Sequence, residues 1–195
     1  MNKRRITMWI IGLFAAGMLL SAAEGTPQRR RRHHRHSRSQ TCCRILSHVV
    51  GGQDAFKLFE TDGFRFATIR RGGELLLGLF TADYSQIEGY RGITNCLVLL
   101  NLQGVVQEVR VVESEDTPPY VKRLIRKGFL EQLVGLKPDQ TPQVDAVSGA
   151  TITCDAIRDS VSATLQAFTR IVDTVDFSGP QPQRRTGGEK LQPLG

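Results

Sequence analysis

The sequence is short of cysteine and of aromatic residues, and most of it has no charge excess of either sign. Its four cysteines, Cys42, Cys43, Cys96 and Cys154, form neither a CxxC pair nor a zinc framework. Adjacent Cys42 and Cys43 are too close to bridge each other without strain. Cys96 lies in an apolar run and Cys154 near the start of a helical pattern, so both read as small buried hydrophobes. A disulfide-stapled fold is not indicated. Acid is nearly absent at the start: Glu24 alone precedes Ser39, against nine of the chain's 26 basic residues. The formal charge of +7 therefore belongs to the N-terminal tail, and the rest is close to neutral. No internal repeat is present.

The first 23 residues read as a targeting segment. Lys3-Arg4-Arg5 precedes an apolar run from Ile6 to Leu20, and Ser21-Ala22-Ala23 supplies the small residues of a cleavage site. With about 18 apolar and small residues, the same stretch is long enough to span a bilayer, so a cleaved signal peptide and a retained anchor both stand. Cys42 and Cys43 lie too far downstream to serve as a lipobox.

Residues 24–42 are expected to be a disordered basic tether, with Arg29 to Arg32, His33, His34, Arg35, His36 and Arg38 in one block. No aromatic side chain interleaves with these arginines, which argues against a nucleic-acid stacking platform and for anionic lipid headgroups as the partner. Positive charge just beyond a hydrophobic segment opposes export of the downstream chain, a conflict with the leader.

From 43 to 176 the pattern is that of one globular domain. Strands are predicted at Ala55–Glu60, Phe64–Arg70, Glu74–Ala82, Asn95–Leu102 and Val105–Val112, with Gly72-Gly73 and Asn101–Gly104 as turns. The last strand alternates imperfectly and rests on β-branched content. Pro118-Pro119 opens a first helix bearing Val121, Leu124, Ile125, Phe129 and Leu133, with Lys122, Arg123, Arg126 and Lys127 facing outward. A second helix starts near Thr153, with Ile157, Val161, Leu165, Phe168 and Val172 on one stripe. The expected fold is α+β, an antiparallel sheet covered by two main helices. The Pro-, Gly- and Gln-rich segment 177–195 is expected to be a disordered tail.

Between the helices lies Val144-Asp145-Ala146-Val147-Ser148-Gly149-Ala150-Thr151-Ile152-Thr153. Its physics admits two readings. A glycine-containing loop feeding a helix N-terminus suits an anion, phosphate above all, with the Thr151 hydroxyl beside it. The blander alternative is an ordinary cap, Thr151 or Thr153 bonding the first-turn amides and Asp155 favouring the helix dipole.

Asp145-Ala146-Val147-Ser148-Gly149-Ala150-Thr151 resembles the Asp-x-x-Ser/Thr-Gly-Ala-Thr motif of the FMN-binding domain family. That family includes the G subunit of the Rnf complex, the C subunit of the sodium-translocating NADH:quinone reductase and the exported domain of the nitrous-oxide-reduction regulator. Gly89-Tyr90-Arg91-Gly92 resembles the family's Gly-Tyr-x-Gly segment, and Asp116-Thr117-Pro118 its Glu-Thr-Pro-Gly, with Pro119 in place of the glycine.

The resemblance implies that a flavin transferase esterifies the phosphate of FMN to Thr151, with Asp145, Ser148, Gly149 and Ala150 as the recognition loop. It makes Tyr90, Thr117 and Tyr120 candidate neighbours of the flavin ring, and Arg91 a candidate for its N1–C2=O edge. It also implies an electron carrier rather than an enzyme, on the extracytoplasmic (periplasmic) face of a membrane, serving membrane redox partners; no specific nucleic acid is expected, since no aromatic residue interleaves with the arginines. A metal site is not expected. The competing expectation is a structural or regulatory module that holds FMN weakly or not at all.

Overall fold

A computed structural model describes residues 40–51 and 55–194; the leader and the arginine-histidine tract lie outside the described residues. Five strands form one antiparallel sheet in the order β1 (Phe56–Thr61), β2 (Phe64–Arg71), β3 (Glu74–Phe80), β4 (Thr94–Asn101) and β5 (Val106–Ser114). Each strand pairs with its sequence neighbour, so the sheet is a meander. The fold is α+β, as the sequence implied, and the five strands lie close to the ranges read from pattern, β-branched content and turn residues.

Alternation assigns the two faces of the sheet. Phe59, Phe66, Leu77, Leu79, Cys96, Val98 and Leu100 form one face, buried under α3 (Thr151–Thr174) through Ile157, Val161, Leu165 and Phe168. Phe56, Leu58, Ala67, Ile69, Leu76, Phe80, Leu97 and Leu99 form the other. The irregular pattern of β5 has a physical origin. Register shifts fall between Asn95 and Cys96 and between Leu99 and Leu100 of β4, each leaving an extra residue on β5. A bulge inverts side-chain parity, so Val106 and Val109, three apart, both enter the α3 core.

A helix α1 over 40–50 packs on the second face and covers the expected domain boundary at 43. Its Cys42 and Leu46 are buried there. The sheet is thus covered on both sides, not by two main helices alone. All four cysteines are unbridged, as their spacing indicated. Among the described residues no helix is long and apolar enough to cross a membrane, and no group of side chains is arranged for a metal ion.

The first predicted helix is shorter than its apolar spacing suggested. Helix α2 (Pro118–Arg126) ends where the Gly128 N–H donates to Ile125 O (3.1 Å) and the Phe129 N–H to Leu124 O (3.1 Å), a Schellman pattern with glycine at φ +71°. Phe129 and Leu133 still reach the core, from the turn and the 3-10 helix Leu130–Leu133, while Ile125 is 42% exposed.

The C-terminal segment is a second correction. It folds back rather than trailing away: β6 (Val175–Asp176) pairs with β7 (Gln183–Arg184), and Phe177 meets Phe66 edge-on at 5.6 Å. Leu191 is buried, and the Leu194 N–H donates to Leu58 O at 2.7 Å on the open edge of β1. These few apolar anchors suffice to seat a segment whose composition alone reads as disordered.

Candidate functional site

Three segments far apart in sequence converge on the carboxylate of Asp116, which follows β5 and is 2% exposed. Its Oδ1 accepts the backbone N–H of Arg91 (3.0 Å) and of Thr117 (2.6 Å). Its Oδ2 accepts the Tyr90 N–H (3.0 Å) and the Thr153 hydroxyl (2.6 Å), on the first turn of α3. Burial alone would raise this carboxyl, but the bonds from Thr153 and from the Thr117, Tyr90 and Arg91 amides outweigh it and hold the group below the ordinary carboxylate value.

The same contact accounts for Gly89. A Cβ there would lie 2.2 Å from Asp116 Oδ2, a buried atom with no room to retreat. The Gly89 N–H closes the turn on Gly92 O at 2.9 Å, so Gly89-Tyr90-Arg91-Gly92 is a tight bend wrapped around the carboxylate. Tyr90 projects from it, 56% exposed, its ring edge-on to Tyr120 of α2 at 5.4 Å. Thr117, the N-cap of α2, has a buried hydroxyl with no hydrogen-bond partner. The reason is local: an N-cap hydroxyl bonds the N2 or N3 amide. Pro119 at N2 has none, and the Tyr120 N–H at N3 goes to Thr117 O at 2.9 Å.

The start of α3 is built differently. Its N-cap is Ala150, which has no side chain able to cap, and no side-chain hydrogen bond closes the helix end. Thr153 turns to Asp116 and Thr151 stays exposed, its hydroxyl unbonded among the described residues. The capping alternative is therefore not what the sequence builds here. The leading amides of a 24-residue helix, carrying its positive dipole end, are left for something else.

The loop before Thr151 is held at a few points only. Gln132 grips the Asp145 backbone, accepting its N–H at 2.8 Å, and the Asp145 carboxylate is left exposed. The Val147 N–H points to Cys154 Sγ at 3.5 Å, and the Ala150 N–H donates to Val147 O at 2.9 Å. Ser148 and Gly149 are exposed, Gly149 at φ +77°, a left-handed conformation that favours glycine. Arg123 of α2 lies across them, its Nη1 3.4 Å from Ser148 O.

Of the residues singled out from sequence, Ser148, Gly149, Ala150 and Thr151 are contiguous at the helix mouth. Tyr90 and Thr117 are tied to the same helix turn through Asp116, and Tyr120 through Tyr90. Asp145 sits upstream in the loop. Sequence reasoning misses Asp116 and Arg123 as site residues. Asp116 is visible as the first residue of the Asp-Thr-Pro segment, but three of its four partners, Tyr90, Arg91 and Thr153, lie at separations that no local pattern reports.

These residues suit an FMN phosphate. An uncapped helix N-terminus supplies N–H donors, an exposed hydroxyl stands among them, a guanidinium lies alongside, and a buried threonine hydroxyl lacks a partner. No curated protein matches the chain. Residues 89–166, from the Gly89–Gly92 bend through most of α3, match the family model of the FMN-binding domain, which supports a flavin-binding role.

Proposed function

We propose that the protein is an extracytoplasmic electron carrier whose FMN is joined through its phosphate to the Thr151 hydroxyl. One observation carries this reading: within the FMN-binding domain, an exposed threonine hydroxyl stands at a helix N-terminus that no side chain caps. A phosphodiester there keeps one negative charge, which the helix dipole and the leading amides stabilise. Attachment by the phosphate would leave the flavin ring free of the covalent bond, with Tyr90, Tyr120 and Thr117 as the residues that would hold it. Flavin supplies the one- and two-electron chemistry, and the protein's part is to hold and orient it.

The leader supports export, and the basic tract supports a partner at an anionic membrane surface. A flavin transferase is the required partner for loading. The decisive experiment is co-expression of the full chain with a flavin transferase, followed by denaturing gel electrophoresis under ultraviolet light. A fluorescent band is expected for the wild type and none for Thr151→Val. A band that persists in Thr151→Val, or a wild type that stays dark while a control substrate in the same cells is labelled, would overturn the assignment.

A further inference from the structure

Arg65, Arg158 and Arg184, the buried and half-buried arginines of the described chain, are neutralised by carboxylates, as are exposed Arg71 and Arg110. Arg65 pairs with Glu60 and Asp83, Arg71 and Arg110 with Glu108, Arg158 with Asp155 and Asp159, and Arg184 with Asp62. Arg123 is exposed and, like several other exposed arginines, has no acidic partner among the described residues. Arg123 and Arg126 stand in the last turn of α2 and Lys127 at its C-cap, where the helix dipole favours cations. Arg123 alone of the three also lies over the Ser148–Gly149 backbone. Its Nη1 sits 3.4 Å from Ser148 O, and a Cβ on Gly149 would be 2.3 Å from that nitrogen. One bond to a neutral carbonyl uses one of five guanidinium donors, and the rest stay available beside the open end of α3.

We propose that Arg123 is the cation that binds the phosphate delivered to Thr151, holding the pyrophosphate of incoming FAD during transfer and the phosphodiester afterwards. This rests on Thr151 being the acceptor. In the transfer Thr151 Oγ bonds to the phosphorus on the flavin side of FAD. The P–O bond to the adenylate half breaks, AMP leaves with that electron pair, and the hydroxyl proton passes to a base of the transferase. The flavin phosphate is anionic throughout, so a fixed cation at the loop favours binding and retention alike. The glycine at 149 then has a second reason besides its φ: it leaves the space into which the guanidinium settles.

The test is the initial rate of flavin attachment to the full chain by purified transferase and FAD, read by intact mass at several salt concentrations. Wild type, Arg123→Gln, Arg123→Lys and Thr151→Val are compared, with the melting temperature of each. Glutamine can still donate to Ser148 O but carries no charge. It is expected to slow attachment about tenfold, the loss of one charge-assisted contact, and to flatten the salt dependence. Lysine is expected to recover part of the rate and the salt dependence. Arg123→Gln labelled at the wild-type rate with wild-type salt dependence would overturn the role of Arg123 while leaving Thr151 as acceptor. Equal loss in the glutamine and lysine variants with salt dependence unchanged would overturn it too, marking Arg123 as a tie for the loop. Label on Thr151→Val would instead sink the acceptor assignment, and this inference with it.

Discussion

Two neighbouring parts of the site are built on opposite principles. Around Asp116 a buried carboxylate is saturated: three backbone amides and the Thr153 hydroxyl all donate to it, joining the Tyr90 bend, the start of α2 and the first turn of α3. Two residues earlier on the same turn, Thr151 is exposed and uncapped, and the loop leading to it is held by a few bonds. Thr151 and Thr153 are the same residue type on one helix turn, yet the first is left unbonded and the second is locked. The difference teaches where rigidity is placed: the frame that orients the helix is fixed from within, and the attachment point stays open to a large visiting enzyme.

The contrast can be broken most severely at its buried end. Asp116→Ala strands three amides and a hydroxyl in a dry site, each an uncompensated donor. The expected loss is about 3 kcal/mol, roughly 10 °C in melting temperature for a domain of this size. Thr151→Val removes an exposed group without a partner and should leave the melting temperature of the flavin-free protein nearly unchanged. Thermal denaturation of the two variants side by side checks the pair. A shift of only a degree or two for Asp116→Ala would mean that the carboxylate is not the tie between these segments.

Acid should act on the same end. The hydrogen bonds hold Asp116 below its ordinary value of 3.8, so its folded-state affinity for a proton is lower than in the unfolded chain. Its contribution is therefore fully present well above 3.8 and is lost as pH falls through the lower folded value. Other lowered carboxyls, Glu108 among them, titrate nearby, so the informative quantity is a difference. Wild type should lose more stability than Asp116→Asn between about pH 5 and pH 2, measured by denaturant unfolding. Parallel curves would show that the Asp116 carboxylate is not selectively stabilised in its charged form.

Much of the frame is legible in the sequence because its cues are local. Gly72-Gly73 and Asn101–Gly104 punctuate the strands, and the stripe Ile157, Val161, Leu165, Phe168 marks α3 as a core helix. What is not legible depends on contacts between distant residues. Helix α1 carries Cys42, Leu46 and Val49 at helical spacing, a pattern overshadowed by the arginine-histidine tract just before it. The C-terminal segment is seated by isolated residues such as Phe177 and Leu191, too sparse to form a periodic signal. At the site, the motif loop is readable as a string of residues. The Asp116 hub is not, since it joins residues 25 to 37 positions apart.

A smaller stability effect than that of Asp116→Ala probes the open end. Gly149 has φ +77°, where a side chain costs about 1 kcal/mol, and its missing Cβ leaves the space occupied by Arg123 Nη1. In Gly149→Ala the exposed loop can relax, so the melting temperature should fall by only about 2–4 °C. Flavin attachment should suffer more, because both the backbone course at the helix mouth and the seat of the guanidinium change together. The measurement is the labelling rate by intact mass beside the melting temperature. A rate that falls no further than the small loss of folded protein would mean that the loop serves only to link the helices, and the division between a fixed frame and a tailored mouth would not hold.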